Sequence, residues 1–210
     1  MSNYLAIATV TAALKQIIQE AINVIGDADA IVKLGRPEIK ETAFSGVHLY
    51  LYMIRPNEGL NNNALPTRLS DGTVVHRPQT ALDLYYIISF YGDETQLIPQ
   101  RLMGSTICAI QAQPVLTKER IREVTKPGGP YTFLTESDLE QQIETVKFTP
   151  VYLSNEDFSK LWSVFLQVPH RLFVTYQASV VLLDSQIPIH KVKIVKKRNI
   201  RAILEEEKIS

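Results

Sequence analysis

The chain has 210 residues, 45% hydrophobic and 21% charged, which is ordinary for a globular protein. Its 22 basic and 22 acidic residues cancel, which argues against a protein whose main task is to neutralise nucleic-acid phosphates. The single cysteine, Cys108, excludes an intrachain disulfide and a thiolate metal cluster. No apolar run reaches the roughly 18 residues of a membrane span. The first residues lack a secretion signal, so we expect synthesis in the cytoplasm and no membrane partner.

The first elements predicted along the chain are a helix and two strands. Apolar residues three and four positions apart predict an amphipathic helix over residues 5–25, ended by Gly26. Residues 30–34 predict a short strand. Residues 47–54 predict a strand covered on both faces, because both are apolar or aromatic. One face of that strand is expected to carry Val47, Leu49, Leu51 and Met53, and the other His48, Tyr50, Tyr52 and Ile54.

A long polar loop, residues 55–80, separates two predicted strands. It is rich in asparagine, proline and turn residues, and residues 81–91 then predict the next aromatic strand. The strands at 47–54 and 81–91 are therefore expected to pair, joined by an elaborated hairpin or arm. Loops of this length tend to be functional or to become ordered by a partner.

The second half of the chain alternates between predicted helices and strands. The order of elements indicates an α+β fold in which helices pack against a mainly antiparallel sheet. Ser154 is a candidate N-cap with Asp157 at the capping-box position, and Pro150 favours a sheet edge or a strand end. The predicted elements are helices at 96–112, 117–124 and 154–165, and strands at 144–153 and 171–183.

The last residues differ in character from the rest, so we divide the chain into a domain, residues 1–185, and a C-terminal arm, residues 186–210. Residues 190–201 carry six Lys or Arg, and valine and isoleucine alternate with lysine as in a one-sided strand. Such an arm could contact nucleic acid or an acidic partner. Pairing with the edge of a neighbouring protein sheet is at least as good an interpretation.

The sequence lacks the common motifs of catalytic sites. There is no P-loop, no Gly-x-Ser-x-Gly elbow and no His-x-x-x-His pair, so we expect no enzyme, metal or cofactor. Asp93 has the context of a turn residue. Asp83 within a strand is unusual, and an edge position or a salt bridge to an arginine would explain it. We expect Cys108 to be a small buried residue on a helix.

Five tyrosines could stack bases, as in single-strand binders, but few basic residues are interleaved with them. Packing beneath helices is the better interpretation of these side chains. They are Tyr50, Tyr52, Tyr85, Tyr86 and Tyr91.

Several sequence blocks, in this order, resemble the tail-terminator or cap proteins of extracellular contractile injection systems, the group that includes the antifeeding prophage. The similarity runs from about residue 4 to residue 184. The blocks are LYMIRPN at 51–57, LPTRLSDG at 65–72, RPQTALDLYY at 77–86, FYGDE at 90–94 with PQRLMG at 99–104, and LWS at 161–163 with YQASVVLLD at 176–184.

This resemblance implies an α+β fold related to phage tail terminators. It also implies a homohexameric ring that closes the baseplate-distal end of a tube and sheath, with tube and sheath proteins as partners and no catalytic residues. The alternatives are a tube-to-sheath adaptor elsewhere in the same particle, or a nucleic-acid or ligand-binding module. No nucleic acid is expected as a partner of a cap.

Candidate interface residues come from the loop and the arm, where packing does not explain the composition. They are Arg55, Asn57, Asn61, Arg68, Arg77, Lys191, Lys193, Lys196, Lys197, Arg198 and Arg201.

Overall fold

A computed structural model describes residues 2–25, 30–36, 44–60, 79–164 and 171–185. Every strand and helix expected there from the sequence is present, with ends shifted by a few residues. The strands are β1 (Ile31–Leu34), β2 (Gly46–Pro56), β3 (Gln79–Tyr91), β4 (Lys147–Pro150) and β5 (Phe173–Asp184). The helices are α1 (Ala6–Asn23), α2 (Ile98–Ala112), α3 (Lys118–Thr125) and α4 (Asn155–Val164), and two 3₁₀ turns lie at Thr132–Glu136 and Leu139–Gln141.

The five strands form one sheet in the order β1-β2-β3-β5-β4. β1 runs parallel to β2, and the other three neighbouring pairs are antiparallel. The prediction of an α+β fold with a mainly antiparallel sheet is therefore confirmed, as is the pairing of the two strands that flank the long loop. Pro150 ends β4, which is an edge strand, as predicted.

Helices cover one face of the sheet and form the core with it. α1 buries an apolar stripe that includes Val10, Leu14 and Ile18, because residues four apart share a helix face. From the sheet, alternate residues of β3, Tyr86 and Ile88 among them, point into the same core. α2 and α3 pack against α1 at its sides. None of the described helices is long and apolar enough to cross a membrane.

A bulge in β2 changes which side chains share a face. Leu51 is opposite Tyr86, but Met53 is opposite Tyr85, so one extra residue, Tyr52, stands in β2. Successive residues of β3 face opposite sides. Met53 therefore leaves the core face on which Leu51 lies, and the prediction that these two share a face is wrong. The prediction used strict alternation, and the bulge breaks it.

The β4–β5 edge of the sheet is closed by groups other than strands. The Phe148 N–H donates to the Pro114 carbonyl at 2.7 Å, so the segment after α2 covers the outside of β4. Two residues later, Pro150 has no backbone N–H and so cannot donate a hydrogen bond to a further strand. Beyond β4, Gln142 Nε2 donates to the Val180 carbonyl at 2.8 Å, and Gln142 Oε1 accepts from the Leu182 N–H at 2.9 Å. A side-chain carboxamide thus replaces a neighbouring strand.

A second glutamine covers part of the opposite edge. Gln19 of α1 accepts a hydrogen bond from the Val32 N–H at 2.8 Å and donates to the Ala30 carbonyl at 3.3 Å. Exposed edge groups are ready templates for strands of other molecules, and proteins commonly cover them. Gln19 also ties α1 to β1.

Two side chains on helices can be compared with their predictions. Ser154 Oγ accepts from the Asp157 N–H at 3.1 Å and donates to the Asp157 carboxylate at 2.7 Å, which confirms the N-cap. Cys108 is exposed, so the prediction of a buried residue is wrong. α2 turns the stripe formed by Leu102, Thr106 and Ile110 toward the core, and Cys108 lies outside that stripe.

Candidate interface at the base of the loop

Two of the predicted interface residues lie at the end of β2, where the chain begins the long loop. Arg55 is exposed near the end of the strand, and Asn57 is the first residue after it. The other nine predicted interface residues lie outside the described ranges. These nine are Asn61, Arg68, Arg77, Lys191, Lys193, Lys196, Lys197, Arg198 and Arg201.

Asn57 makes hydrogen bonds through its backbone N–H and through both polar atoms of its side chain. Its backbone N–H donates to the Ala81 carbonyl at 2.8 Å, which extends the β2–β3 ladder. Its Nδ2 donates to Asp83 Oδ1 and Oδ2 at 2.9 and 3.1 Å, and lies 3.4 Å from Ser179 Oγ. Its Oδ1 accepts from the Leu60 N–H at 3.0 Å. One side chain therefore joins β2, β3, β5 and the turn that follows β2.

Asp83 is explained by this contact and not as the sequence suggested. It lies in β3, inside the sheet, so the edge explanation is wrong. Its side chain is buried, and in the described part of the chain its carboxylate accepts from the Asn57 amide, with no arginine salt bridge. A buried polar group without a hydrogen-bonding partner would be costly. A bulge between β3 and β5 at this level accommodates it opposite Ser179.

Arg55 belongs to an aromatic surface on the face of the sheet opposite α1. Its guanidinium carbon lies 5.8 Å from the ring centre of Tyr85, within the range of a cation–π contact. Tyr85 meets Tyr52 edge to face at 6.3 Å. Burial is the main cause that raises the pKa of Tyr52, with smaller electrostatic contributions from Tyr85 and Asp157, while Arg55 opposes them.

The tyrosines divide between the two faces. Tyr86 is fully buried in the core formed with α1 and is hydrogen-bonded to Thr11, so its predicted packing beneath a helix is confirmed. Tyr50 and Tyr52 pack with Ile87 in a separate cluster on the opposite face and are only half-buried. Arginine and tyrosine together are typical of protein interfaces, where they offer large contact areas with polar ends.

Sequence reasoning missed three residues at this site: Asp83 as a partner of Asn57, Ser179 and Tyr85. The one available signal was the acidic residue inside an otherwise apolar strand. The partner could not be read from the sequence, because Asn57 and Asp83 are 26 positions apart and Ser179 is 122 from Asn57.

Two shallow grooves lie elsewhere on the surface. One of about 310 Å³ lies between α1 and α3, and Pro130 and Tyr131 also line it. The other, of about 380 Å³, runs beside the β4–β5 edge, where Tyr152 and Ile107 are exposed. Among the described residues, no group of three or more His, Cys, Asp and Glu side chains is arranged to hold a metal ion.

The described residues thus form an α+β domain, in which a mixed five-stranded sheet carries helices on one face and an exposed aromatic and arginine surface where the long loop begins. The sequence profile of the Pvc16 N-terminal domain matches residues 9–197, which is most of the chain. The chain therefore belongs to the Pvc16 N-terminal domain family. No curated protein matches its sequence.

Two solved cryo-electron microscopy structures share the fold. The first is the sheath/tube terminator, in the extended state, of PVC, an extracellular contractile injection system. It superimposes with a TM-score of 0.53 at 12% sequence identity, and the match covers 91% of this chain and 63% of the other. The second is the tube-terminating cap of the anti-feeding prophage. It superimposes with a TM-score of 0.51 at 13% sequence identity, and the match covers 88% of this chain and 60% of the other. The chain thus matches about three fifths of the length of these proteins.

Proposed function

We propose that this protein is a structural cap, or tail terminator, that closes the baseplate-distal end of the tube and sheath of a contractile injection particle. The observation that carries the proposal is the shared fold, over 91% of the chain, with a sheath/tube terminator, together with membership of the Pvc16 N-terminal domain family. In this role it acts as a homohexameric ring, has tube and sheath proteins as partners, and works without catalysis or a cofactor. It is made in the cytoplasm and leaves the cell with the particle on lysis.

The physical requirement of such a cap fits the chain. A tube of stacked rings is a heterologous assembly, whose free end continues to accept subunits. A terminator must match the last ring on one side and offer nothing stackable on the other. Contacts to neighbours come from the loop at 55–80, whose base carries Arg55 and Asn57, and from the C-terminal arm at 186–210. The remaining interface candidates named from the sequence belong to these two segments.

The sheet edges support a particular role for the arm. The edge at β4 and β5 is closed by Gln142, Pro150 and the segment after α2. A neighbour therefore gains few free backbone groups by adding a strand there. The arm at 190–201, with its alternating residues, can instead be donated as a strand to a neighbouring sheath sheet.

Particle assembly tests the cap. The protein is produced together with its tube and sheath proteins, and particles are compared with and without it by cryo-electron microscopy. We expect a six-fold ring at one end only, and tubes of uncontrolled length when the protein is omitted. A ring between tube and baseplate would favour the adaptor instead. A protein that never joins the particle, and that binds DNA in a salt-sensitive manner, would favour a nucleic-acid-binding module.

The strand-donor role is tested separately in the same particles. Replacing Val192 and Ile194 with proline removes two backbone donors, whereas replacing both with threonine keeps them and the strand propensity. We expect the proline pair to weaken attachment of the cap to the sheath and the threonine pair to preserve it. Equal attachment of both variants would exclude strand donation by these residues.

A further inference from the structure

We infer that the Asn57–Asp83 pair is a positioning device that sets the direction in which the chain leaves the sheet to enter the long loop. This inference rests on the proposed function, because it assigns the pair to the placement of a contact segment. It is a statement about the isolated protein, however, and can be tested without particles.

The chemistry of asparagine suits the position. The same carboxamide donates to the Asp83 carboxylate and accepts from the Leu60 N–H, because an amide side chain carries both a donor and an acceptor. The turn from Asn57 to Leu60 also begins the loop, so the hydrogen bond from Leu60 fixes the first step of the chain away from β2. Gly59 lies against Asn57 Oδ1, since a Cβ added there would meet that atom at 3.4 Å.

The side chain of Asn57 is anchored by a buried partner, Asp83. Asp83 is buried in the middle of the sheet, where it is held from one side by Asn57 and faces the β5 bulge at Ser179 on the other. A carboxylate in this place is an unusual choice if stability alone matters, because apolar residues of similar volume commonly replace buried charged groups without loss. Its geometric effect is specific: both of its oxygens accept from the Asn57 amide.

Arg55 connects the device to the exposed surface. In the β2–β3 register Arg55 is opposite Asp83, and its guanidinium rests on the Tyr85 ring. The pair therefore holds the start of the loop directly beside the exposed cation at the strand end. A terminator that must meet its neighbours with defined geometry gains from such pre-organisation, because less freedom is lost on binding.

A swap of the two residues separates this positioning role from simple loss of packing. Asn57→Asp places two carboxylates about 3 Å apart, and these repel each other when both are ionised. Asn57→Asp combined with Asp83→Asn restores the pair in reverse, since the carboxylate now at position 57 can accept both from the amide at position 83 and from the Leu60 N–H. Asn57→Ala removes the amide altogether. A matched control is Asn3→Ala, which removes an asparagine that also accepts from a backbone N–H two residues further along the chain, but whose hydrogen bonds are to Leu5, Glu136 and Asp138 and not to the Asn57–Leu60 turn.

Amide hydrogen exchange at Leu60 in the purified full chain is the measurement. We expect Asn57→Ala to accelerate exchange at Leu60 by roughly five- to tenfold beyond any change at core amides of α1, and Asn3→Ala to leave Leu60 unchanged. Asn57→Asp is expected to exchange faster than the wild type at neutral pH, because the two carboxylates repel each other. The swapped pair is expected to exchange like the wild type.

Two results would overturn the inference. The first is exchange at Leu60 that does not change in Asn57→Ala. The second is a swapped pair no better protected than Asn57→Asp at neutral pH. If Leu60 responds as expected but particles terminate normally with Asn57→Ala, the positioning device exists and the loop is not the contact that caps the particle. Failure of the cap assay with the wild-type chain would reject the proposed function and leave the exchange result standing.

Discussion

Gln142 and Leu182 are joined by a hydrogen bond of 2.9 Å in which the Leu182 N–H donates to Gln142 Oε1. The same carboxamide donates to the Val180 carbonyl and to the Glu144 carbonyl. Gln142 and Leu182 are both buried, so their hydrogen bond is shielded from water. The side chain acts as the missing strand beside the last third of β5.

Replacing Gln142 with alanine is expected to destabilise the protein by about 2–4 kcal/mol, because the buried Leu182 N–H and the half-buried Val180 carbonyl lose the hydrogen bonds to this side chain. Urea unfolding followed by circular dichroism measures the change. Gln111→Ala is the matched control, since Gln111 is exposed on α2 and should respond by less than about 0.5 kcal/mol. Equal effects of both substitutions would contradict the role given to Gln142.

A pair of glycine substitutions tests the close approach of β1 and β2 at Gly46. Gly46 has φ +143°, and a Cβ there would collide with the backbone of Ile31. We expect Gly46→Ala to cost about 3 kcal/mol or more, from strain and overpacking together. Gly104 lies in the interior of α2 with open space around it, so Gly104→Ala should stabilise by about 0.5–1 kcal/mol. Thermal unfolding of the two variants should move the midpoint in opposite directions.

The raised pKa of the buried Tyr86 phenol predicts that the protein loses stability in alkaline solution. Burial raises the pKa of the Tyr86 phenol well above its usual range, and the hydrogen bond to Thr11 opposes this only weakly. In the unfolded chain the group ionises near pH 10. Its contribution is therefore complete below about pH 10 and declines above it, by at most about 1.4 kcal/mol per pH unit, as the unfolded state loses the proton first.

Urea unfolding of the wild type and of Tyr86→Phe between about pH 8 and pH 11.5 checks this sign. At pH 8 the variant should be less stable by about 1 kcal/mol, since the hydrogen bond to Thr11 is lost. At about pH 11 the difference should shrink or reverse. A smaller alkaline decline should remain in the variant, because the pKa values of Tyr52 and Tyr176 are also raised. Parallel curves for the two proteins would show that Tyr86 does not control the decline.

Cys108 offers a simple check of how α2 is oriented. Because the thiol is exposed, a maleimide should label it in the folded protein as readily as in urea. Cys108→Ser should change the free energy of unfolding by less than about 0.5 kcal/mol, as expected for an exposed position. Labelling that requires unfolding would place Cys108 in the core, as the sequence suggested.

The elements of the fold were predictable because their signals are local. The period of α1 and the aromatic, β-branched run of β3 are properties of neighbouring residues, and hydrophobic periodicity reports them directly. The exposure of Cys108 was not predictable in this way. Ile107, Cys108 and Ile110 are all apolar or small, and only packing against other elements decides that Ile110 faces inward.

The contacts at the base of the loop also could not be predicted from local sequence signals. Arg55 and Asn57 were selected from the sequence because they follow a strand and precede a long polar segment, but their partners were not. A bulge at Tyr52 shifts the side of Met53, and contact with Asp83 comes from strand pairing across the whole loop. Register and bulges depend on non-local pairing, which alternation alone does not reveal.

The glutamines at the two ends of the sheet affect the protein before it meets any partner. Unprotected edge strands recruit copies of themselves into intermolecular sheets, which is a route to aggregation. Gln19 and Gln142 occupy backbone groups that would otherwise start such growth. They therefore influence how long the unassembled chain persists in solution, as well as how tightly it folds.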